Sequence, residues 1–410
     1  MVWEKNATPP GGIIGRILAL ALLAVLTACE SPKSLPVPTA SPLPSLTPIL
    51  PTLDEGLCIP AQGHEPFSPA SFAEYPQVIF EYLNSGGEVD ALNADRSHAE
   101  VGDLTGDGKN DVLVAVTSSD GETIPPLGTL LIYNCQAEQY VLTFDLTPDS
   151  AYYGAPTIHF VQDMNADGKV EAVVSTSTCG ASTCFEQEQI LAWNGATYEN
   201  LLEGASDDLP YPDVKMRDTG GGIYALDVTG TGFGSVGAGP YRVRTRAWSY
   251  DPASGRWKVR RETLEPPRYR IHALHDADAA FEAGNYELAI VLYQRVVNEQ
   301  ALLDWVDPPL EQANLGAYAR FKLIVLYTQS GQPDEAERYF GELKAGPAVG
   351  NWQAYTDMTN TYLQGVAIAG HGCPAARDYA ETHAGQILSP LGSEAFGYAN
   401  PDYTPEDVCP

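Results

Sequence analysis

The sequence predicts an α+β chain of more than one domain, with β repeat units first and a helical repeat region after them. Three observations carry this. An acidic pattern running from Asp103 to Asp111 returns from Asp163 to Glu171. Short runs of β-branched and apolar residues flank both copies. From His272 onward, small and large apolar residues take the spacing of paired helices. Recurrence at a long fixed period marks a repeat architecture, and the change of hydrophobic period separates strands from helices.

The first residues read as a targeting segment, 1–28. Lys5 and Arg16 supply positive charge, and Ile17 to Ala28 is an uncharged, mostly apolar run too short to span a bilayer as a free helix. It ends in Leu26, Thr27, Ala28 and Cys29. This resembles a bacterial lipobox, which implies a lipidated Cys29 at the mature N-terminus and anchoring by acyl chains. A plain signal peptide or an uncleaved anchor are the alternatives. Residues 29–53 follow as a tether. Seven of the twenty-three residues from Ser31 to Leu53 are Pro. Such a stretch cannot be helical and has too little apolar area for a core. As polyproline II, at ~3.1 Å per residue, it would hold a domain roughly 70 Å from the membrane. The expected location is the cell envelope, outside the cytoplasm.

Charge and cysteine content agree with export. The chain has 23 basic and 53 acidic residues, which argues against a nucleic-acid partner and against a polybasic contact with anionic lipid. With Cys29 set aside, six cysteines remain: Cys58, Cys135, Cys179, Cys184, Cys373 and Cys409. An even number in an exported chain points to disulfides, with fifteen possible connectivities. We expect Cys179 with Cys184 across a short loop, Cys373 with Cys409 at the tail, and Cys58 with Cys135 at the start of the β region. Zinc is the weaker reading, because no second Cys or His pair stands near Cys179 and Cys184.

Residues 54–97 form a helical entry segment. Apolar residues recur near a 3.6 period from Phe72 to Leu83. Pro76 must then lie in the first turn, and Ser85, Gly86 and Gly87 end the helix. A second short helix is expected from Val89 to Asn93.

Residues 98–265 hold three β units. In the first loop, Asp103, Thr105, Asp107 and Asp111 occupy positions 1, 3, 5 and 9, with Gly108 at the bend and Lys109 offering its carbonyl at position 7. In the second, Asp163, Asn165, Asp167, Lys169 and Glu171 match them, with Gly168 at the bend. Oxygens at this spacing around a glycine suit a hard cation such as calcium. An EF-hand is excluded because position 12 is Val114 or Val174 and strands, not helices, flank the loops. Aspartate–glycine loops also make ordinary metal-free turns, but two in register with like charges so close favour a screening cation. A third, decayed copy reads as Asp227, Thr229, Thr231, Gly232, Phe233 and Ser235, and is not expected to bind metal. Each unit reads as strand, acidic loop, strand and hairpin.

These loops between strands resemble the FG-GAP/VCBS repeat family. The resemblance implies β-propeller-like blades with calcium at the strand junctions, although three units fall short of the usual propeller. Gly232 to Gly237 matches G-x-G-x-x-G, but Pro240 and a strand follow where a dinucleotide site needs a helix. We read it as a glycine-rich turn.

Residues 270–410 are expected to be helical. Ala273, Ala277, Ala280, Gly284, Tyr286, Ala289 and Tyr293 suggest a helix hairpin, and Tyr327, Gly331, Pro333, Ala336 and Phe340 a second one after an insertion, Asn298 to Leu315. Trp352 to Ala369 and Ala375 to Ile387 are two more helices. The spacing resembles tetratricopeptide repeats, which implies a TPR-like α-helical solenoid and a protein partner in its groove. An irregular helical cap is the alternative.

No nucleophile or metalloprotease motif is present, and the loop carboxylates are better used on a cation. The expectation is therefore a non-enzymatic, lipid-anchored protein with structural calcium and a protein-binding helical module. An extracytoplasmic hydrolase acting on glycan or cell-wall material, and a purely structural spacer, are the other readings.

Overall fold

The computed structural model describes residues 56–64, 71–118, 126–146, 154 and 156–409. The expected leader, Cys29 and the Pro-rich tether lie outside the described residues. No described helix is long and apolar enough to cross a membrane.

The entry segment is a 3-10 turn, Phe72–Glu74, leading into α1 (Tyr75–Asn84), with Pro76 in the first turn where a missing amide costs nothing. A second 3-10 turn covers Val89–Leu92. The first sheet is a meander of β1 (Ser97–Gly102), β2 (Asp111–Thr117), β3 (Gly128–Gln136) and β4 (Gln139–Leu146). The second repeats it with β5 (Pro156–Gln162), β6 (Glu171–Cys179), β7 (Cys184–Trp193) and β8 (Tyr198–Asn200). The third is ordered β10 (Pro212–Gly220), β11 (Ile223–Gly230), β12 (Arg244–Asp251), β13 (Arg256–Leu264) and β9 (Leu202–Glu203). All pairs are antiparallel except β13 with β9. Thus the chain leaving the second sheet covers the outer edge of the third, which protects an edge strand from pairing elsewhere.

Alternation within the strands stacks the layers. Val112, Val114 and Val116 face α1 and pack with Ile79 and Leu83. Leu113 and Ala115 face the other way, against Ala172 and Val174 of the second sheet. Val173 and Ile190 then face Leu226, Val228, Trp248 and Trp257 of the third. Both indoles are fully buried, and each N–H finds a carbonyl at 2.8 Å, Trp248 on Glu203 and Trp257 on Tyr224. Burying a Trp requires such a partner. At the open end of the stack, β10 and β11 turn Lys215, Arg217 and Asp227 outward, and Arg217 forms an ion pair with Asp227. A helix therefore caps one end of the sheets and a polar face closes the other.

The third unit corrects the sequence reading. The run from Pro212 was not expected as a strand. Asp227 and Thr229, assigned to a decayed loop, lie within β11. The turn equivalent to the acidic loops is Gly220, Gly221 and Gly222, each with positive φ. Every second residue of an outward-facing strand is polar, and here that alternation imitates the oxygen spacing of the loops.

The helices are α2 (Arg270–Glu282), α3 (Tyr286–Asn298), α4 (Pro308–Gln329), α5 (Pro333–Lys344), α6 (Trp352–Ala369) and α7 (Cys373–Thr382), followed by three single turns: α8 (Ala384–Ile387), α9 (Ser393–Phe396) and α10 (Pro405–Val408). Ala375 to Ile387, expected as one helix, is broken at His383. The middle of α4, from Ala313 to Tyr327, is buried nearly all round because α2, α3, α5 and α6 pack on it. Ala273, Ala277 and Ala289 are buried at close helix approaches, as their size requires. The insertion is fixed by Glu311, whose carboxylate accepts the amides of Trp305, Val306 and Asp307.

The three disulfides are Cys58–Cys135, Cys179–Cys184 and Cys373–Cys409, as expected. The glycine-rich segment docks on the C-terminal tail by main chain. Ala399 donates to Ala238 O at 3.0 Å and Tyr398 to Gly237 O at 3.3 Å. A Cβ on Gly239 would sit 1.5 Å from the carbonyl oxygen of Phe396. The last glycine of the G-x-G-x-x-G match, Gly237, lies within a single 3-10 turn, Val236–Ala238, that makes the docking contact.

Candidate metal centre: the acidic loops

Each acidic loop is wound around its first aspartate. In the first, Asp103 Oδ1 accepts the amides of Gly106 and Asp107, and Oδ2 that of Gly108, at 2.8 to 2.9 Å. Gly106 and Gly108 take positive φ to aim these amides inward. Asp107 accepts the Lys109 amide at 2.8 Å. Asp111 opens β2 and is fully buried. Its carboxylate holds the Thr105 amide at 2.9 Å and the Cys135 amide at 2.8 Å.

The second loop repeats this. Asp163 accepts the amides of Asn165, Ala166 and Gly168. Ala166 has φ +61, where the first loop has Gly106. Asp167 accepts the Lys169 amide at 2.8 Å. Glu171, 1 % exposed, accepts the Met164 amide at 2.8 Å. The Asn165 amide group donates to both Glu171, at 2.9 Å, and Asp167, at 3.3 Å. A donor thus bridges two carboxylates of the ring.

The electrostatics are unfavourable as they stand. Burial pushes Asp111 up to about 6, with Asp107 adding to the rise and the amides of Cys135 and Thr105 opposing it. Burial likewise pushes Glu171 up to about 7, helped by Asp167 and Asp163. Among the described residues neither carboxylate has an ion-pair partner within 4.0 Å. A buried carboxylate without a cation is costly.

The donor set suits a hard cation. Thr105 Oγ1 is buried without a hydrogen-bond partner, so position 3 holds an orphaned oxygen beside two aspartates. Carboxylate oxygens that accept one amide each retain a lone pair for a metal. Among the described residues no three His, Cys, Asp or Glu side chains are gathered closely enough to hold a metal alone. The set would need the Thr105 or Asn165 oxygen and main-chain carbonyls as well, as an oxygen-rich calcium site does.

The loops also join the sheets. Val170 beside the second loop donates to Asp103 O of the first, at 3.4 Å, and a Cβ on Gly106 would meet the Lys169 stem at 3.1 Å. Tyr224 donates to Met164 O at 2.8 Å, and Asn165 bridges to Ile223. All ten residues expected from the sequence therefore fall on one seam across the three sheets.

A second polar cluster was not foreseen. Between the second and third sheets, the Ser175 hydroxyl donates to Glu186 and meets His159 Nε2 at 2.9 Å. Burial works to raise Glu186, but the bonds from His159 and Ser175 win and hold it low. Ser175 is 1 % exposed, so its hydroxyl is closed off from solvent. Next to it Glu188, 2 % exposed, has no hydrogen-bond partner for either carboxylate oxygen among the described residues. Burial pushes it up to about 7; Ser206 nearby opposes the rise and Glu186 and Asp207 add to it. Glu188 is covered by the segment 204–211, where Ser206 accepts the Glu188 amide at 2.9 Å and Tyr211 donates to Cys184 O.

Comparisons with family models, with curated proteins and with solved structures find no match.

Proposed function

We propose that this is a membrane-anchored extracytoplasmic lipoprotein, held through Cys29, in which calcium in the two acidic loops is structural. The observation that carries the metal reading is the pair Asp111 and Glu171. Both are buried carboxylates without a cationic partner among the described residues, on loops that join three sheets. Calcium would be held by Asp103, Thr105, Asp107, Asp111 and the Lys109 carbonyl in one loop, and by Asp163, Asn165, Asp167, Glu171 and the Lys169 carbonyl in the other. It would supply the charge that offsets carboxylate repulsion and would stiffen the seam. The four-stranded meanders fit blades of an FG-GAP/VCBS type in an open stack. Three disulfides fit an oxidising compartment.

The helical region serves protein contact in envelope assembly or surface recognition on this reading. Its helix pairs α2–α3 and α4–α5, with Gly284 and Gly331 at the turns, are what TPR-like repeats require. Equilibrium dialysis against calcium tests the metal part: two sites per chain are expected, and one site or none in Asp163→Asn. A wild-type chain that retains no calcium contradicts it.

A further inference from the structure

A cavity of about 360 Å³ lies where the third sheet meets the helical region and the tail, away from the acidic loops. Phe233, Tyr241, Arg244, His275, Tyr398 and Asp208 line it. Its size is at the small end of the range for ligand sites, roughly 300 to 1,000 Å³, and it sits at a junction of chain segments, where such sites concentrate.

The charges on its walls are already paired. Arg244 bonds Asp208 at 2.7 Å and reaches Glu262 at 3.5 Å. Arg242, at its edge, bonds both oxygens of Asp276. Burial, with His272 and Arg242 alongside, holds the His275 imidazole neutral, down to about 3. The cavity thus presents no net excess of positive charge to an anion. Its accessible polar groups are those of the Arg244–Asp208 pair, both partly exposed, while Tyr241 hydroxyl and His275 Nε2 lie buried behind its wall.

The aromatic wall narrows the class further. Phe233 meets Tyr398 at 87° and Tyr241 at 75°, edge to face. Phe233 therefore stacks on neither tyrosine. Tyr398 is 57 % exposed and offers a single ring as a platform. We propose that this cavity binds one uncharged pyranose ring of a carbohydrate, with its C–H face on Tyr398 and its hydroxyls on the Arg244–Asp208 pair. Such a ligand has the apolar faces and the hydroxyl rim that the walls complement, and it needs no countercharge. The inference stands apart from the calcium reading.

Saturation-transfer NMR on the full chain, in a detergent without sugar headgroups, tests it. The probes are methyl β-D-glucopyranoside, N-acetylglucosamine and cellobiose, with glucuronate, inorganic phosphate and adenosine as comparators. The expected result is transfer to the ring protons of at least one neutral sugar, kept in Tyr398→Phe and reduced about five-fold or more in Tyr398→Ala, at an unchanged melting temperature. A disaccharide signal stronger than either monosaccharide's would assign the ring to a glycan chain; an equal signal would assign it to a free sugar. The proposal is overturned if no neutral sugar receives transfer, if only glucuronate, phosphate or adenosine does, or if Tyr398→Ala leaves the signal intact.

Discussion

The amide of Tyr224 donates to the carbonyl oxygen of Met164 at 2.8 Å, tying the second acidic loop to the first hairpin of the next sheet. Val170 makes the corresponding bond to Asp103, one sheet earlier. The two loops and the Gly220–Gly222 turn therefore form a continuous seam. Whatever holds a loop in shape also holds two sheets together.

Removing a loop carboxylate should act only when metal is present. Asp107→Ala and Asp167→Ala are expected to lower the melting temperature in calcium and to change it little in chelator. Both side chains are exposed and accept only local bonds, Asp107 from the Lys109 amide and Asp167 from the Lys169 amide and the Asn165 side chain. Equal losses in both conditions, read by circular dichroism, would remove the metal role.

Glu188 should make stability depend on pH near neutrality. Its folded value, about 7, lies above the ordinary 4.5. The folded chain therefore binds more protons than the unfolded one in that window, and stability falls as pH rises through it. Glu188→Gln is expected to stabilise the protein at pH 8 by up to about 3 kcal/mol, with no gain at pH 4. Urea melts at the two pH values check this; an equal effect at both would contradict it.

The glycine-rich contact predicts an unequal pair of substitutions. Gly239→Ala would place a Cβ against Phe396 O, whereas Gly255→Ala meets nothing within 4 Å, though both have positive φ. Gly255→Ala should cost about 1 kcal/mol for its φ alone. Gly239→Ala should cost several times more and loosen the tail, which limited proteolysis near Tyr398 would detect.

The disulfides should differ in worth. Cys58–Cys135 closes a loop with a sequence separation of 77, Cys179–Cys184 one of 5. Loop entropy makes the first stronger by about 2 kcal/mol. Denaturant midpoints of the two double-serine variants measure the difference.

Much of this molecule could be read from its residues. Most of the strands and the helix starting at Trp352 follow from spacing and alternation, and the three disulfides match the expected pairs, although parity alone leaves fifteen connectivities. What escaped was set by tertiary context. β10 alternates Lys215 and Arg217 with Val214 and Met216, a pattern weakened because one face of the last sheet meets water. Asp227 and Thr229 took the look of a loop from that same alternation. Glu188 could not be recognised as buried, because the segment that covers it joins β7 from outside the local pattern. The open stacking of three sheets was likewise not legible, since each sheet repeats the same local signals wherever it packs.

A thermal melt of the full chain in excess calcium and then in chelator tests the central claim most directly. Binding at a hundred times the dissociation constant adds about 2.7 kcal/mol per site, and each kcal/mol raises the midpoint of a domain of 150–250 residues by about 2 to 4 °C. A rise of several degrees, lost in Asp107→Ala combined with Asp167→Ala, is the predicted result. Superimposable melts with calcium and chelator would mean that the loops are turns held by their own amides, and would contradict the account.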